Sequence, residues 1–220
     1  MRIFFVLLTA LVAGGFVTPP PSTTPGGFVV EYFAIGSNMA TSVLTGRRGI
    51  TPVAPSRAAV ARDHALTFDV PGFSMLEPAF AAIEPREYSE CHGVLYTLTP
   101  LDFIKLLASE GVPFAYRALP VTVECYDGRR VEAMSLAAGP SVTTLSRRSG
   151  DSRSGRKVED PRPSQRYLAL LREGAKEAGL AESWTRYLDG LQPAPGSTGA
   201  PNLRLQPRRN YEQRPGATFI

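Results

Sequence analysis

A strand that ends at a glycine and continues into a helix gives this chain its first candidate binding element. Residues 31–35 are mostly apolar, Gly36 interrupts them, and Ser37 and Asn38 follow at the predicted start of a helix. The first backbone N–H groups of a helix have no partner within it, so this corner can receive a carboxylate or carbonyl oxygen. Gly followed by Ser or Asn is also the ordinary way to start a helix, and that alternative stays open.

Glu110 is the candidate general acid or base. Residues 99–102 predict a helix N-terminus, with Thr at the cap, Pro at the first helical position and an acid three residues after the cap. Gly111 is a natural helix stop, which puts Glu110 in the last turn, where the helix dipole disfavours negative charge. Apolar neighbours such as Val112 and Phe114 would add desolvation, and both effects favour proton uptake. A solvated Glu at a helix end is the alternative.

A sheet and several helices must bring these two segments together. Alternation and turn signals predict strands over residues 29–35, 58–68, 91–98, 119–126 and 131–136, the last two joined by a hairpin at Asp127-Gly128. Short helices are predicted over 39–44 and 103–109, and residues 70–85, with three prolines, predict an irregular segment that borders a pocket. Strands interleaved with helices imply an α+β fold with a mixed, strongly curved, barrel-like sheet of about five strands and flanking helices.

Two more helices are predicted towards the C-terminal end. Ser164 is the N-cap of the first, and one face carries its apolar or small residues: Tyr167, Leu170, Leu171, Gly174 and Ala178. Gly174 costs about 1 kcal/mol relative to Ala inside a helix, so we expect it to permit a close approach to a neighbouring segment. The second helix contains Trp184 and Leu188 and ends before Pro193.

Length and composition predict one domain with appendages. The 220 residues are 43% hydrophobic, which suffices for one core. Residues 1–15 are signal-peptide-like, with a basic residue, a short apolar run and small residues after it. Residues 16–28 predict a Pro/Ser/Thr-rich presequence or linker, 29–192 the folded domain, and 193–220 a disordered, basic, Pro-rich tail. Within the domain, residues 137–161 lack periodicity and predict a flexible insertion.

The N-terminal segment predicts entry into the secretory route. Phe16 and the acid-free stretch after it also resemble the bipartite presequence of algae with secondary plastids, so a plastid and a secreted or lumenal location both stay open. No stable membrane span is expected in the mature chain, because the apolar run is too short to cross about 30 Å of hydrocarbon.

Composition also argues against several partners. The net charge is +4 with a pI near 9.3, but the basic residues cluster in segments that read as solvated, and no nucleic-acid motif occurs. We therefore expect no nucleic-acid partner. No metal-ligand spacing or cofactor fingerprint is present, so no metal or cofactor is expected. Cys91 and Cys125 are expected to be buried free thiols, and His92 a packed aromatic.

Three segments resemble the gamma-glutamylcyclotransferase family. The first is similar to that family's substrate loop, which usually has Tyr-Gly-Ser-Asn-Leu at its centre: Tyr32-Phe33-Ala34-Ile35-Gly36-Ser37-Asn38-Met39. The second begins at His92-Gly93-Val94-Leu95-Tyr96 and continues to Glu110-Gly111-Val112, and the third, residues 163–180, is similar to the family's C-terminal helix. Three segments in the right order over roughly residues 30–192 are hard to obtain by chance. The resemblance implies a small barrel-like sheet.

The resemblance also implies a reaction and a set of residues. The α-amine of a small gamma-glutamyl substrate attacks the substrate's own side-chain carbonyl, forming 5-oxoproline and releasing the amino acid. Glu110 would move the proton, and the corner at Gly36, Ser37 and Asn38 would supply backbone donors. Tyr32 or Phe33 would shape the wall of the site, with Ala34 and Ile35 completing the loop. Tyr167 would either reach the substrate with its hydroxyl or be a core residue.

Two positions of the loop, Ile35 and Asn38, leave alternatives open. Ile35 replaces the usual Tyr before Gly-Ser-Asn, which favours either an altered rate and substrate preference or a non-catalytic, regulatory protein of the same fold. Asn38 favours the family branch that acts on gamma-glutamyl amino acids, but a related enzyme that processes gamma-glutamylamines or glutathione stays open. The resemblance also leaves a homodimer open.

Overall fold

Seven strands and three α-helices make up the part of the chain that the computed structural model describes, which is residues 23–24, 27–74, 77–140 and 162–197. The strands are β1 (Thr23–Thr24), β2 (Gly27–Phe28), β3 (Val30–Ala34), β4 (Arg57–Ser74), β5 (Glu77–Leu98), β6 (Tyr116–Cys125) and β7 (Arg130–Ala138). The helices are α1 (Pro100–Ser109), α2 (Gln165–Glu177) and α3 (Glu182–Gly190). The signal-like segment 1–15 and residues 141–161 of the predicted insertion lie outside the described residues.

Five of the strands close into a barrel in the order β3-β5-β4-β6-β7. Neighbouring strands are antiparallel, except that β3 pairs in parallel with β7 through Tyr32 and Met134 and so closes the barrel. Side chains from every barrel strand share one core with apolar side chains of the helices, among them Leu106, Leu171 and Leu188. The predicted α+β class with a mixed, strongly curved sheet of five strands is therefore confirmed.

The long β4–β5 hairpin corrects the prediction of an irregular segment over residues 70–85. Residues 70–74 and 77–85 belong to an antiparallel ladder with three register shifts, and Pro71, Pro78 and Pro85 each lie at or next to a shift. Proline disrupts a ladder least at such irregularities, because the regular ladder hydrogen bonds, to which proline has no N–H to donate, are interrupted there in any case. The sequence signal for irregularity was therefore a signal for bulges within a strand.

Helix α1 and the β6–β7 hairpin match their sequence signals. The Thr99 hydroxyl accepts a hydrogen bond from the Asp102 backbone N–H at 3.1 Å, and Gly111 adopts a left-handed φ of 69° directly after the helix. Gly128 has a φ of 86° in the turn between β6 and β7. Strand β7 continues through Ala138, so the first two residues of the predicted insertion are part of the sheet.

Helices α2 and α3 pack against the barrel as their apolar faces predict. Ser164 caps α2 by accepting a hydrogen bond from the Tyr167 backbone N–H at 3.0 Å. The expected close approach at Gly174 is confirmed, because an added Cβ there would lie 2.5 Å from the backbone N of Ala40. The backbone of helix α2 therefore packs directly against the turn that follows β3. Beyond α3, the backbone N–H of Ala194 donates to the carbonyl of Pro163 at 2.9 Å, so contacts with the domain continue past residue 192.

Cys91 and Cys125 are buried free thiols, as expected. Burial raises the pKa of the Cys91 thiol, which keeps the sulfur protonated at neutral pH. Over the described part of the chain, no helix has the length and apolar character needed to span a membrane.

Candidate active site

A cavity of about 490 Å³ opens between the turn after β3, the β4–β5 hairpin, the end of α1 and the start of α2. Its size falls within the range of small-molecule sites, about 300–1,000 Å³. The turn contributes the predicted corner, and α1 contributes its C-terminal residues. The cavity therefore collects the two segments that the sequence singled out, although they lie far apart along the chain.

The corner at Gly36 is a short 3₁₀ turn (Ser37–Met39) followed by a π-helical turn (Ser42–Arg47). Its first hydrogen bond runs from the Met39 N–H to the Gly36 carbonyl at 3.0 Å, so the N–H groups of Ser37 and Asn38 precede the bonds within the turn. A Cβ at Gly36 would lie 2.7 Å from the Tyr167 hydroxyl oxygen. Glycine is therefore required here, because Tyr167 lies directly against the backbone of the corner.

Glu110 lies at the C-cap of α1, and its carboxylate faces the corner. Its Oε1 atom accepts hydrogen bonds from Asn38 Nδ2 at 2.8 Å and from Arg48 Nη2 at 2.6 Å. The Glu110 side chain is only 13% exposed. The surroundings differ from the apolar ones that the sequence suggested, since Phe114 is 72% exposed and a cation binds the carboxylate. Within the described residues, no hydrogen bond to the second oxygen, Oε2, is found, which leaves that atom available to a ligand.

Arg48 is the functional candidate that sequence reasoning missed. Its guanidinium donates to three groups at once: Asn38 Oδ1 through Nε at 2.7 Å, Ser109 Oγ through Nη1, and Glu110 Oε1 through Nη2. The sequence signal that could have pointed to Arg48 was Gly49. This glycine comes after the π-helical turn and has a left-handed φ of 61°, so Arg48 falls at the end of that turn. Asn38, Arg48 and Glu110 thus bond one another in a closed ring of side chains.

Three tyrosines line the cavity with their hydroxyl groups engaged. Tyr32 accepts a hydrogen bond from Asn38 Nδ2 at 3.0 Å, Tyr116 donates to the Ala81 carbonyl at 3.0 Å, and Tyr167 accepts from the Ala81 N–H at 3.2 Å. Burial, and to a smaller extent the charge of Glu110, raises the pKa of Tyr32. Burial raises the pKa of Tyr167 to about 12 and that of Tyr116 well above its usual value. At neutral pH these tyrosines are therefore uncharged donors rather than bases.

The cavity receives eight of the nine residues that the sequence proposed for the site, which are Tyr32, Phe33, Ile35, Gly36, Ser37, Asn38, Glu110 and Tyr167. Ala34 is the exception and does not line the cavity. Its small side chain is fully buried in the core. Tyr167 is a core residue that also lines the cavity, and its contact with a substrate stays a prediction.

A second polar group on the cavity wall links the β4–β5 hairpin to α2. Glu77 accepts hydrogen bonds from Ser164 Oγ at 2.7 Å and from Arg166 Nε at 2.6 Å. Phe80 packs edge-on against Tyr167 nearby, with ring centroids 5.3 Å apart. The hairpin residues therefore border the cavity as the sequence suggested. The described residues contain no group of three or more His, Cys, Asp or Glu side chains that could hold a metal ion.

Comparison with known proteins agrees with this architecture. The AIG2-like family matches residues 90–188. Gamma-glutamyl cyclotransferase aclK of Aspergillus oryzae is 30% identical over 208 residues, covering 87% of this chain and 68% of that protein. Gamma-glutamyl cyclotransferase gliK of Aspergillus fumigatus is 30% identical over 179 residues, covering 74% of this chain and 62% of that protein. The chain thus spans about two-thirds of the length of these fungal relatives (68% and 62%).

Solved structures support the same grouping at the level of the fold. A structure of a gamma-glutamyl cyclotransferase superposes with a TM-score of 0.62 at 22% identity, covering 79% of this chain and 94% of that one. A human protein described as uncharacterized superposes with a TM-score of 0.61, also at 22% identity and with the same shares covered. The chain belongs to the gamma-glutamyl cyclotransferase family, and the resemblance of its three sequence segments is confirmed.

Proposed function

We propose that this protein is a gamma-glutamylcyclotransferase that converts gamma-glutamyl amino acids into 5-oxoproline and the free amino acid. The observation that carries the proposal is the Glu110 carboxylate, which faces the Gly36 corner across one cavity and has one oxygen bonded to Asn38 and Arg48. Family membership supports a cyclotransferase, and the geometry supports an intramolecular reaction on a small, folded substrate.

Glu110 acts as general base and then as general acid. Its Oε2 takes a proton from the substrate's α-ammonium, and the resulting amine attacks the side-chain amide carbonyl to form the ring carbon–nitrogen bond. The bond between that carbonyl carbon and the leaving nitrogen then breaks as Glu110 returns the proton to the leaving nitrogen. The attacking nitrogen gives up its second proton to the same leaving group, so the ring nitrogen keeps one proton and the amino acid leaves with an ammonium group. Arg48 and Asn38 hold Oε1 throughout, which fixes the direction in which Oε2 points.

The remaining cavity groups hold the substrate folded and stabilise the developing oxyanion. The N–H groups at the start of the turn and the uncharged hydroxyls of Tyr32 and Tyr167 are fixed donors on the wall. Fixed donors lower the barrier because they need no rearrangement when charge develops. The walls of the cavity keep the amine and the carbonyl close together. The substrate therefore loses its freedom of movement when it binds, and not during the reaction.

Ile35 bears on the two alternatives. It lines the cavity where the family usually has a Tyr, so the site lacks one hydroxyl group. This loss is compatible with a non-catalytic protein of the same fold. The intact contacts among Glu110, Arg48 and Asn38 favour an enzyme. A related enzyme for gamma-glutamylamines or glutathione differs only in the leaving group, so a substrate panel separates it.

The test is stoichiometric release of 5-oxoproline from gamma-glutamyl-alanine, glutathione and gamma-glutamyl-lysine by the purified protein. We expect release from gamma-glutamyl-alanine, with free alanine formed in equal amount. Glu110→Gln should keep the fold by circular dichroism and lower kcat by roughly 100- to 10,000-fold, because the amide cannot accept the proton.

Glu90→Gln is the matched control, because Glu90 is a glutamate of the same barrel that lies outside the cavity. It should leave 5-oxoproline release unchanged. Equal rates for Glu110→Gln and the unsubstituted protein would remove Glu110 from the mechanism. No release from any of the three substrates would favour the non-catalytic alternative.

A further inference from the structure

Three arginines line the cavity, and two of them are already paired. Arg48 uses its Nε, Nη1 and Nη2 atoms on Asn38, Ser109 and Glu110. Arg166 forms an ion pair with Glu77, on the wall that α2 and the hairpin share. Each of these guanidinium groups is neutralised by a carboxylate of the cavity itself, so neither is the natural partner for a substrate carboxylate.

Arg47 is the third arginine, and it differs from the other two. It is the last residue of the π-helical turn, it lines the cavity, and it is exposed to solvent. Across the described ranges it makes no hydrogen bond and no ion pair. Arg48 is directed towards Glu110, whereas Arg47 both lines the cavity and is exposed to solvent, which places it at the rim.

The charged side chains that line the cavity, among the described residues, sum to one positive unit. The acids that line it, Glu77 and Glu110, offset Arg166 and Arg48, and the charge of Arg47 remains. A gamma-glutamyl amino acid carries one ammonium and two carboxylates, a net charge of one negative unit. A gamma-glutamyl amine or amide lacks the second carboxylate and is neutral overall. The cavity is therefore complementary in charge to the amino-acid form.

We propose that Arg47 binds the carboxylate of the leaving amino acid and so selects gamma-glutamyl amino acids over gamma-glutamyl amines. This inference rests on the proposed function and deepens it. The glutamyl carboxylate is attached to the same carbon as the amine that Glu110 must reach, so it lies deep in the cavity. The leaving group extends from the opposite end of the substrate, towards the opening where Arg47 lies.

Gamma-glutamyl-alanine and gamma-glutamyl-alaninamide form the test pair, because they differ only in the charge of the leaving group. We expect the unsubstituted protein to prefer the acid by about tenfold in kcat/KM, the size of one charge-assisted hydrogen bond. Arg47→Gln should remove this preference by raising KM for the acid, with kcat unchanged and the amide unaffected. Arg47→Lys should keep part of the preference, and added salt should weaken it, because the group is exposed.

Two arginine variants are the controls. Arg166→Gln combined with Glu77→Gln removes a cavity ion pair without changing the net charge of the cavity, so the preference for the acid should remain. Arg186→Gln removes an exposed arginine outside the cavity and should change neither. Preference lost in either control, or an equal fall for both substrates in Arg47→Gln, would overturn the assignment of Arg47.

The same assay separates this inference from the proposed function. Release of 5-oxoproline from both substrates with no preference in the unsubstituted protein would overturn the role of Arg47 alone. Release from neither would overturn the proposed function and this inference with it.

Discussion

Two polar clusters of the described residues lie on this barrel, and each borders a cavity, of about 490 and 420 Å³. The Glu110 cluster comprises Glu110, Arg48, Asn38, Tyr32 and Ser109. The His92 cluster lies where α3 packs on the barrel and comprises His92, Tyr126, Trp184, Glu90 and Arg62. A histidine beside an acid and a tyrosine is the more conventional candidate for a catalytic site, yet its contacts argue otherwise.

The His92 cluster borders a shallower, more open recess of about 420 Å³, and aromatic rings pack on the His92 side chain. The His92 ring packs against Trp184 and Tyr126 at centroid distances of 5.2 and 5.8 Å, and its Nδ1 bonds the Tyr126 hydroxyl at 2.5 Å. The ion pair beside it joins Arg62 and Glu90, whose side chains are 56% and 49% exposed, and such pairs contribute little. The expectation of a packed His92 is confirmed.

In the Glu110 cluster, the same kinds of groups hold one another and leave an atom for a substrate. Its members come from β3, from the turns that follow β3, and from the end of α1. Their mutual bonds fix the positions of the side chains, while Glu110 Oε2 and the cavity remain open. The comparison indicates that a candidate site is recognised by a carboxylate that its neighbours hold in place beside the cavity, more than by the presence of histidine.

The two clusters should differ most in how they respond to substitution of their arginines, Arg48 and Arg62. Arg48→Met should lower kcat by about 100-fold with KM nearly unchanged, because Glu110 loses the donor that fixes its carboxylate, and small misplacements cost about this much. Arg48→Lys should restore part of kcat, since an ammonium can replace one of the three bonds. The measurement is initial-rate kinetics of 5-oxoproline release.

Arg62→Met is the matched change in the His92 cluster, because it also removes an arginine from a glutamate. It should leave kcat unchanged and alter stability by less than about 1 kcal/mol. If Arg62→Met lowered kcat as much as Arg48→Met, the distinction between the two clusters would be lost.

The corner and Glu110 could be predicted because their signals are local. A cap at Thr99 and a stop at Gly111 fix the ends of α1, and those ends fix where Glu110 falls. Gly36 likewise interrupts the apolar run after β3 and marks the start of the turn by its position in the sequence. The turn at Gly128 belongs to the same category, and Gly174 was marked locally by its place within a helix.

Features that depend on distant partners could not be predicted in this way. Arg48 is a surface-type residue in sequence, and only the fold brings it to Glu110, 62 positions away. The β4–β5 ladder depends on register shifts that place its prolines at irregularities, which proline content alone does not show. Ala34 lies within the resembling loop, but the packing of distant elements around β3 buries it in the core and away from the cavity.

Gly174 tests whether the packing of α2 sets the position of the corner. In Gly174→Ala, the new Cβ would lie 2.6 Å from the Met39 carbonyl carbon, so either the helix or the turn must move. We expect a loss of about 1–3 kcal/mol in the free energy of unfolding, measured with urea, because well-packed interfaces resist added atoms. The rate of 5-oxoproline release should fall as well, since the turn carries Gly36 and Asn38.

Gly190→Ala is the control for this change, because nothing lies within 4 Å of a Cβ added at the end of α3. It should leave activity unchanged and stabilise the protein by up to about 1 kcal/mol. A Gly174→Ala protein that kept full stability and activity would show that the turn does not depend on this contact.

The smallest expected effect concerns the pH dependence of stability through His92. Burial, with a smaller contribution from the charge of Arg62, lowers the pKa of His92 below 6.5, whereas Glu90 opposes the shift. The folded state therefore disfavours the charged ring, so the stabilisation is complete above the unfolded value of 6.5 and is lost as pH falls through the lower folded value. His92→Phe should keep the packing against Trp184 and flatten this part of the dependence.

The measurement is the free energy of unfolding in urea between about pH 5 and pH 8, the range in which histidine normally changes charge. A flatter curve for His92→Phe, with 5-oxoproline release unaltered, would place His92 in packing alone. If the substitution instead abolished release while stability was unchanged, the His92 cluster would take part in catalysis. The contrast between a packed cluster and an open one would then fail, because both clusters would serve the reaction.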